Sequence, residues 1–175
     1  MSDTLYEQIT ERFFKTRDIY LQNRQYIVSG CNALLIRLTK LLGCSPRMFA
    51  IYKIDNDDRY KKGPIFEGKD NLDNENISSY LIQLSAVEFK LIFALHLTNN
   101  EEVIIEIILK RESNIFTLAL PFTKEEYTFT DYNSDEQMEP VINEFKQFFD
   151  NLYNLEKIHD FNPRYMLFYR YYTFD

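Results

Sequence analysis

At 175 residues and a net charge of −7, the chain is long enough for one globular domain and short for two. Thirteen tyrosines and fifteen phenylalanines stand against two histidines, two cysteines, four glycines and no tryptophan. No local segment can therefore assemble a glycine-rich phosphate cradle or a His/Cys metal cluster.

The charge is unevenly placed. Residues 1–48 carry seven Lys/Arg and four Asp/Glu, a balance of +3, while residues 49–175 carry thirteen and twenty-three, a balance of −10. An acidic body disfavours nucleic-acid phosphate and favours a protein partner with a basic surface. The longest apolar runs, Leu91–Leu95 and Ile107–Leu109, are far shorter than the ~20 residues that cross a bilayer. The first residues show neither a basic n-region nor an apolar h-region, and Cys31 and Cys44 form no CxxC pair. The expectation is a reduced, cytoplasmic protein without a cofactor or a bound metal.

Residues 4–43 read as helix, kinked or divided at Ser29-Gly30. Leu5, Ile9, Phe13, Tyr20, Ile27, Leu34, Leu38 and Leu41 recur at steps of three, four or seven, which stacks them on one face. Thr4 and Glu7 have capping-box spacing, and Gly43 followed by Pro46 is a stop signal. Arg12, Arg17, Gln22, Arg24 and Gln25 are assigned to the polar side. A short strand over Met48–Asp55 precedes a polar loop over 56–76.

Strands follow at Tyr80–Ser85, Glu88–Thr98, Val103–Arg111, Ile115–Phe122 and Tyr127–Tyr132. Their short polar connections imply antiparallel hairpins, because parallel crossovers need a dozen residues or more. Alternation assigns Phe89, Leu91, Phe93, Leu95, Val103, Ile105, Ile107, Leu109, Phe116, Leu118 and Leu120 to the core face. A second helix runs from Ser134 or Glu139 to about Ile158, with Ser134 and Gln137 at capping-box spacing. An aromatic strand is expected over Tyr165–Phe174.

The whole predicts a single α+β domain over 1–175, with two layers. A mostly antiparallel sheet of five to seven strands (48–132) is covered by N-terminal (1–45) and C-terminal (134–158) helices.

Four groups of residues are candidates for function. Glu88-Phe89-Lys90 has the E-x-K form of the PD-(D/E)xK nucleases, in which the carboxylate holds Mg²⁺ and the lysine supports the attacking water, with Asp73 as a second ligand. His96 is expected opposite Glu106 across a hairpin, a pairing that could make the imidazole a general base. The acidic loop does not fit a calcium loop, since Tyr60 occupies the position that needs glycine. Finally, Asp57, Asp58, Tyr60, Asp70 and Asp73 of that loop, with Tyr169 and Tyr171 of the terminal strand, combine a charged rim with aromatic anchors, the composition of an interface.

The favoured function is a small acidic protein-binding inhibitor or adaptor of the toxin-immunity or phage anti-defence type, acting by occupying a partner's surface without catalysis. The alternatives are an oligomeric structural subunit of a larger complex, which would make the chain a homo-oligomer or assembly module, and a metal-dependent nuclease using Glu88 and Lys90.

Overall fold

A computed structural model of the chain describes residues 4–45, 48–54, 60–65, 74–97 and 102–152. Helix α1 (Leu5–Leu42) is a continuous helix of 38 residues, unbroken at Ser29-Gly30. Both ends are built as the sequence implies. The Thr4 hydroxyl accepts from the Glu7 N–H at 3.3 Å, and the Glu7 carboxylate accepts from the Thr4 N–H at 2.7 Å. These bonds hold the Glu7 carboxyl below its ordinary pKa. Gly43 takes the left-handed conformation (φ 61°) that only glycine adopts without penalty, and its N–H and that of Cys44 close on the last turn.

The strands are β1 (Phe49–Ile54), β2 (Tyr60–Ile65), β3 (Ile82–Gln83), β4 (Glu88–His96), β5 (Glu102–Glu112), β6 (Ile115–Leu120) and β7 (Glu125–Phe129). They form one antiparallel sheet in the order β2-β1-β4-β5-β6-β7, with β3 pairing the start of β4. Helix α2 (Asn74–Tyr80) lies between β2 and β3, and α3 (Asp135–Leu152) follows β7. The two-layer α+β architecture is thus as the sequence implies.

Several elements differ from expectation. The segment read as a loop over 56–76 contains β2 and the start of α2. The strand expected at Tyr80–Ser85 shrinks to the two residues of β3, because Leu81 N–H still bonds the Ile77 carbonyl in a helical turn. The strand expected at Tyr165–Phe174 lies outside the described residues, as does the part of the second helix beyond Leu152.

One face of the sheet makes the main core. Phe49, Ile51, Phe89, Leu91, Phe93, Val103, Ile105, Ile107, Leu118 and Leu120 are buried there with Ile27, Cys31, Leu34, Leu35 and Leu38 of α1 and Met138, Val141 and Phe145 of α3. Phe93 stands at the centre, its ring 5.9 Å from Phe49 and 6.4 Å from Phe145. A smaller cluster of Ala50, Tyr52, Ile92, Ala94 and Ile104 is buried on the opposite face.

Helix α3 is fastened to both neighbours. The Ser134 hydroxyl accepts from the Gln137 N–H at 3.3 Å, which is one half of the capping box. The other half is diverted, because Gln137 Oε1 accepts from the backbone N–H groups of Thr130 (2.8 Å) and Asp131 (3.2 Å). From α1, the Arg37 guanidinium donates to the Asn133 carbonyl and the Asp135 carboxylate, each at 2.8 Å. The phenol of Tyr127 on β7 is pushed up to about 12 by burial and by the nearby carboxylates of Glu144 on α3 and Glu125.

Candidate functional site

Most of the interface expected from sequence cannot be placed. Asp57, Asp58, Asp70, Asp73, Tyr169 and Tyr171 lie outside the described residues, and Tyr60 opens β2 with only its backbone described.

The E-x-K pair is brought to the outer face of β4, away from the main core. There Lys90 Nζ lies 3.3 Å from Glu106 Oε2 on β5. Glu88 sits opposite Lys110, whose ammonium pairs with Glu112 at 3.0 Å. Among the described residues no three His, Cys, Asp or Glu side chains converge as a metal site. Lys90 is thus held in a cross-strand ion pair, and Asp73 is outside the described residues.

His96 is opposite Glu102, not Glu106. The hairpin register differs from the expected one by four residues; an even shift leaves every side chain on its assigned face while changing its partner. His96 Nδ1 stands 3.4 Å from Glu102 Oε2, and Tyr52 donates its phenolic proton to Glu102 Oε1 at 2.5 Å. Glu102 is only 3 % exposed and Tyr52 is fully buried. This Tyr–Glu–His chain ties β1, β4 and β5 together on the outer face. The cysteines lie elsewhere: Cys31 is in α1 within the main core, and Cys44 packs at its edge. Burial pushes both thiols up, so neither is an activated thiolate.

The largest anomaly among the described residues is in α1. Its first buried side chain is Asn23, and from there Ile27, Val28, Cys31, Leu34, Leu35 and Leu38 face the sheet. The same face continues toward the N-terminus as Leu5, Tyr6, Ile9 and Phe13, which are 73, 77, 58 and 62 % exposed. Phe14, Ile19 and Leu21 are exposed around the rest of this half-helix. A 38-residue helix is about 57 Å long, whereas the nine-residue β4 spans about 30 Å, so the sheet cannot cover it all. Residues 5–22 form an arm of about 27 Å whose core-like stripe, before Tyr20, has no core among the described residues.

Two groups hold the helix where the arm begins. Arg24 donates to the Ser78 carbonyl and hydroxyl of α2 and to the Tyr20 hydroxyl, so it is partly buried and not on the polar side where the sequence placed it. Tyr20 in turn lies 5.9 Å from the ring of Phe89. On the other side Arg111 of β5 donates to Asn23 Oδ1 at 2.8 Å. The sequence pattern shows the arm's stripe but assigns it to the core with the rest of the helix. The excess of helix length over strand length was the available sign that part of the stripe has no sheet beneath it.

Among the described residues no helix is long and apolar enough to cross a membrane. Comparison with family models, with curated proteins and with solved structures finds no match.

Proposed function

We propose that the protein is a protein-binding inhibitor or adaptor, of the toxin-immunity or phage anti-defence type, that acts by occupying a partner's surface through the α1 arm. The observation that carries this reading is the exposure of Leu5, Tyr6, Ile9 and Phe13 on the face that is core further along the same helix. At ~150–250 Å² per large side chain these four expose on the order of 500 Å² of contiguous apolar surface, a size at which patches on monomers are often functional. The chemically active side chains among the described residues are tied to one another or buried. Lys90 is engaged by Glu106, Glu102 holds both Tyr52 and His96, and the thiols are buried or pushed up.

A photo-cross-linking amino acid placed at Phe13, compared with one at Glu11 on the opposite side of the arm, tests the proposal in the native host. One predominant protein adduct from position 13, absent from position 11, is the expected result. Equal or absent labelling from the two positions would reject the arm as the binding surface.

A further inference from the structure

We infer that the stripe of the α1 arm receives an α-helical segment of another protein whose apolar face is edged by aspartate or glutamate. This rests on the arm being the docking surface, and it specifies the chemistry of what docks there.

The inference comes from where the arm's charges fall around the helix. Successive residues are turned by about 100°, so Leu5, Tyr6, Ile9, Phe13 and Tyr20 cluster within roughly 100° of one another. Arg12 and Arg17 fall about 70° to either side of that stripe. All three carboxylates of the arm, Glu7, Glu11 and Asp18, fall on the opposite side, together with its third cation, Lys15. The stripe is therefore edged by cations on both flanks. Arg17 now stacks on Phe14 and pairs with Asp18 at 3.3 Å, but both partners are half exposed or more. Such a surface pair contributes little and is readily exchanged.

Charge then selects among occupants. A second copy of the arm, in either direction, would set arginines beside arginines along the seam, the repulsion that rejects pairings in coiled coils. A bilayer surface favours a helix whose polar face is rich in Lys and Arg, whereas this polar face carries Glu7, Glu11 and Asp18 against the single Lys15, which weakens attraction to anionic headgroups. An acid-edged helix meets both demands, because its apolar stripe covers Ile9 and Phe13 while its carboxylates meet Arg12 and Arg17. This departs from the basic partner that the net charge alone suggests: residues 49–175, at a balance of −10, repel an acidic segment, and on the arm, where three cations balance three carboxylates, the attraction is local to the flanking Arg12 and Arg17.

The test uses two synthetic helical peptides with the same leucine stripe, one with Glu and one with Lys at the flanking positions, titrated into the full chain. The Glu-edged peptide should bind at least tenfold more tightly, and its advantage should shrink as salt is raised. Arg12→Glu combined with Arg17→Glu should reverse the preference, and an unchanged melting curve should show that the variant is folded. Equal binding of both peptides, abolished by Phe13→Asp, would overturn the charge inference while leaving the arm as the docking surface. Binding of neither, together with no cross-link from position 13, would overturn both readings. A dimer in sedimentation that Phe13→Asp dissolves, or Phe13-dependent binding to anionic phospholipid vesicles, would assign the stripe to a second copy or to a membrane and also overturn the inference.

Discussion

The guanidinium carbon of Arg111 stands 3.9 Å above the centroid of the Tyr26 ring, joining the end of β5 to the point where α1 leaves the body. Arg111 is 9 % exposed, and its buried Nε has no hydrogen-bond partner among the described residues. Among the described residues it pairs with no carboxylate; it is held by the Asn23 oxygen and by the negative faces of Tyr26 and, at 5.7 Å, Phe116. Ring faces offset part of the cost of burying a cation, by ~2 kcal/mol when desolvated.

Arg111→Ala should therefore destabilise the fold by about 2–4 kcal/mol, from the lost charged hydrogen bond, ring contact and packing. Arg111→Met should cost less, because it keeps the stem and removes the buried charge. Arg111→Lys should not restore the wild-type value, since an ammonium does not stack as a planar guanidinium does. Urea unfolding at equilibrium measures all three, and equal stability of Ala and wild type would reject the role assigned to this contact.

Two phenylalanines of the same chain should respond in opposite ways to truncation. Phe93→Ala, at a fully buried position between Phe49 and Phe145, should cost about 3–5 kcal/mol. Phe13→Ala, at a position 62 % exposed, should change stability by no more than about 0.5 kcal/mol. Thermal or chemical unfolding distinguishes them, and a large loss from Phe13→Ala would mean that the arm is packed and not presented.

On the outer face, Tyr52→Phe removes the only hydroxyl in the Tyr52–Glu102 bond and leaves a buried carboxylate short of a donor. The expected loss is about 1–3 kcal/mol. Glu102→Gln should cost less when added to Tyr52→Phe than when made alone, because the shared bond is already gone. A double-mutant cycle reads this coupling directly, and strict additivity would count against the chain of contacts described here.

The two thiols predict a pH dependence. Burial keeps Cys31 protonated in the folded state well above the pH at which an unfolded cysteine ionises, at about 8.5. The folded state then binds more protons than the unfolded one, so this group's contribution to stability is fully present below pH ~8.5 and declines above it. The limiting slope is about 1.4 kcal/mol per pH unit. A Cys31→Ala variant should lose that alkaline decline. In native protein a thiol reagent should modify the partly exposed Cys44 first and Cys31 only on unfolding; early modification of Cys31 would contradict its burial.

The meander β4–β7 was legible because each strand alternates cleanly and each connection is short and polar. Alternation alone therefore puts Phe93, Ile105 and Leu118 on the core face. Strand β2 was not legible. Tyr60-Lys61-Lys62-Gly63-Pro64-Ile65 has no alternation and contains both residues that usually break strands, yet it pairs with β1 at the sheet edge. The insertion of β1 beside β4 is a non-local pairing with no local signature. The Tyr52–Glu102 contact depends on it, and Glu102 itself was read as a turn residue. For the expected interface at Asp57, Asp58, Asp70, Asp73, Tyr169 and Tyr171, polarity and aromatic content are the signals, and neither fixes a geometry.

The continuity of α1 has a kinetic consequence. An isolated helix as short as the arm is marginal in water, because its first turn must fix several residues for a single hydrogen bond. Here that nucleus is supplied by Ile27–Leu38, already locked against the sheet, so the arm needs only to propagate outward one residue at a time. Disorder enters the arm from the end farther from the sheet, where the Thr4–Glu7 box resists fraying. Amide hydrogen exchange should therefore slow steadily from Ile9 toward Asn23. A partner would meet a preformed helix and avoid most of the ordering entropy that a disordered segment must give up on binding.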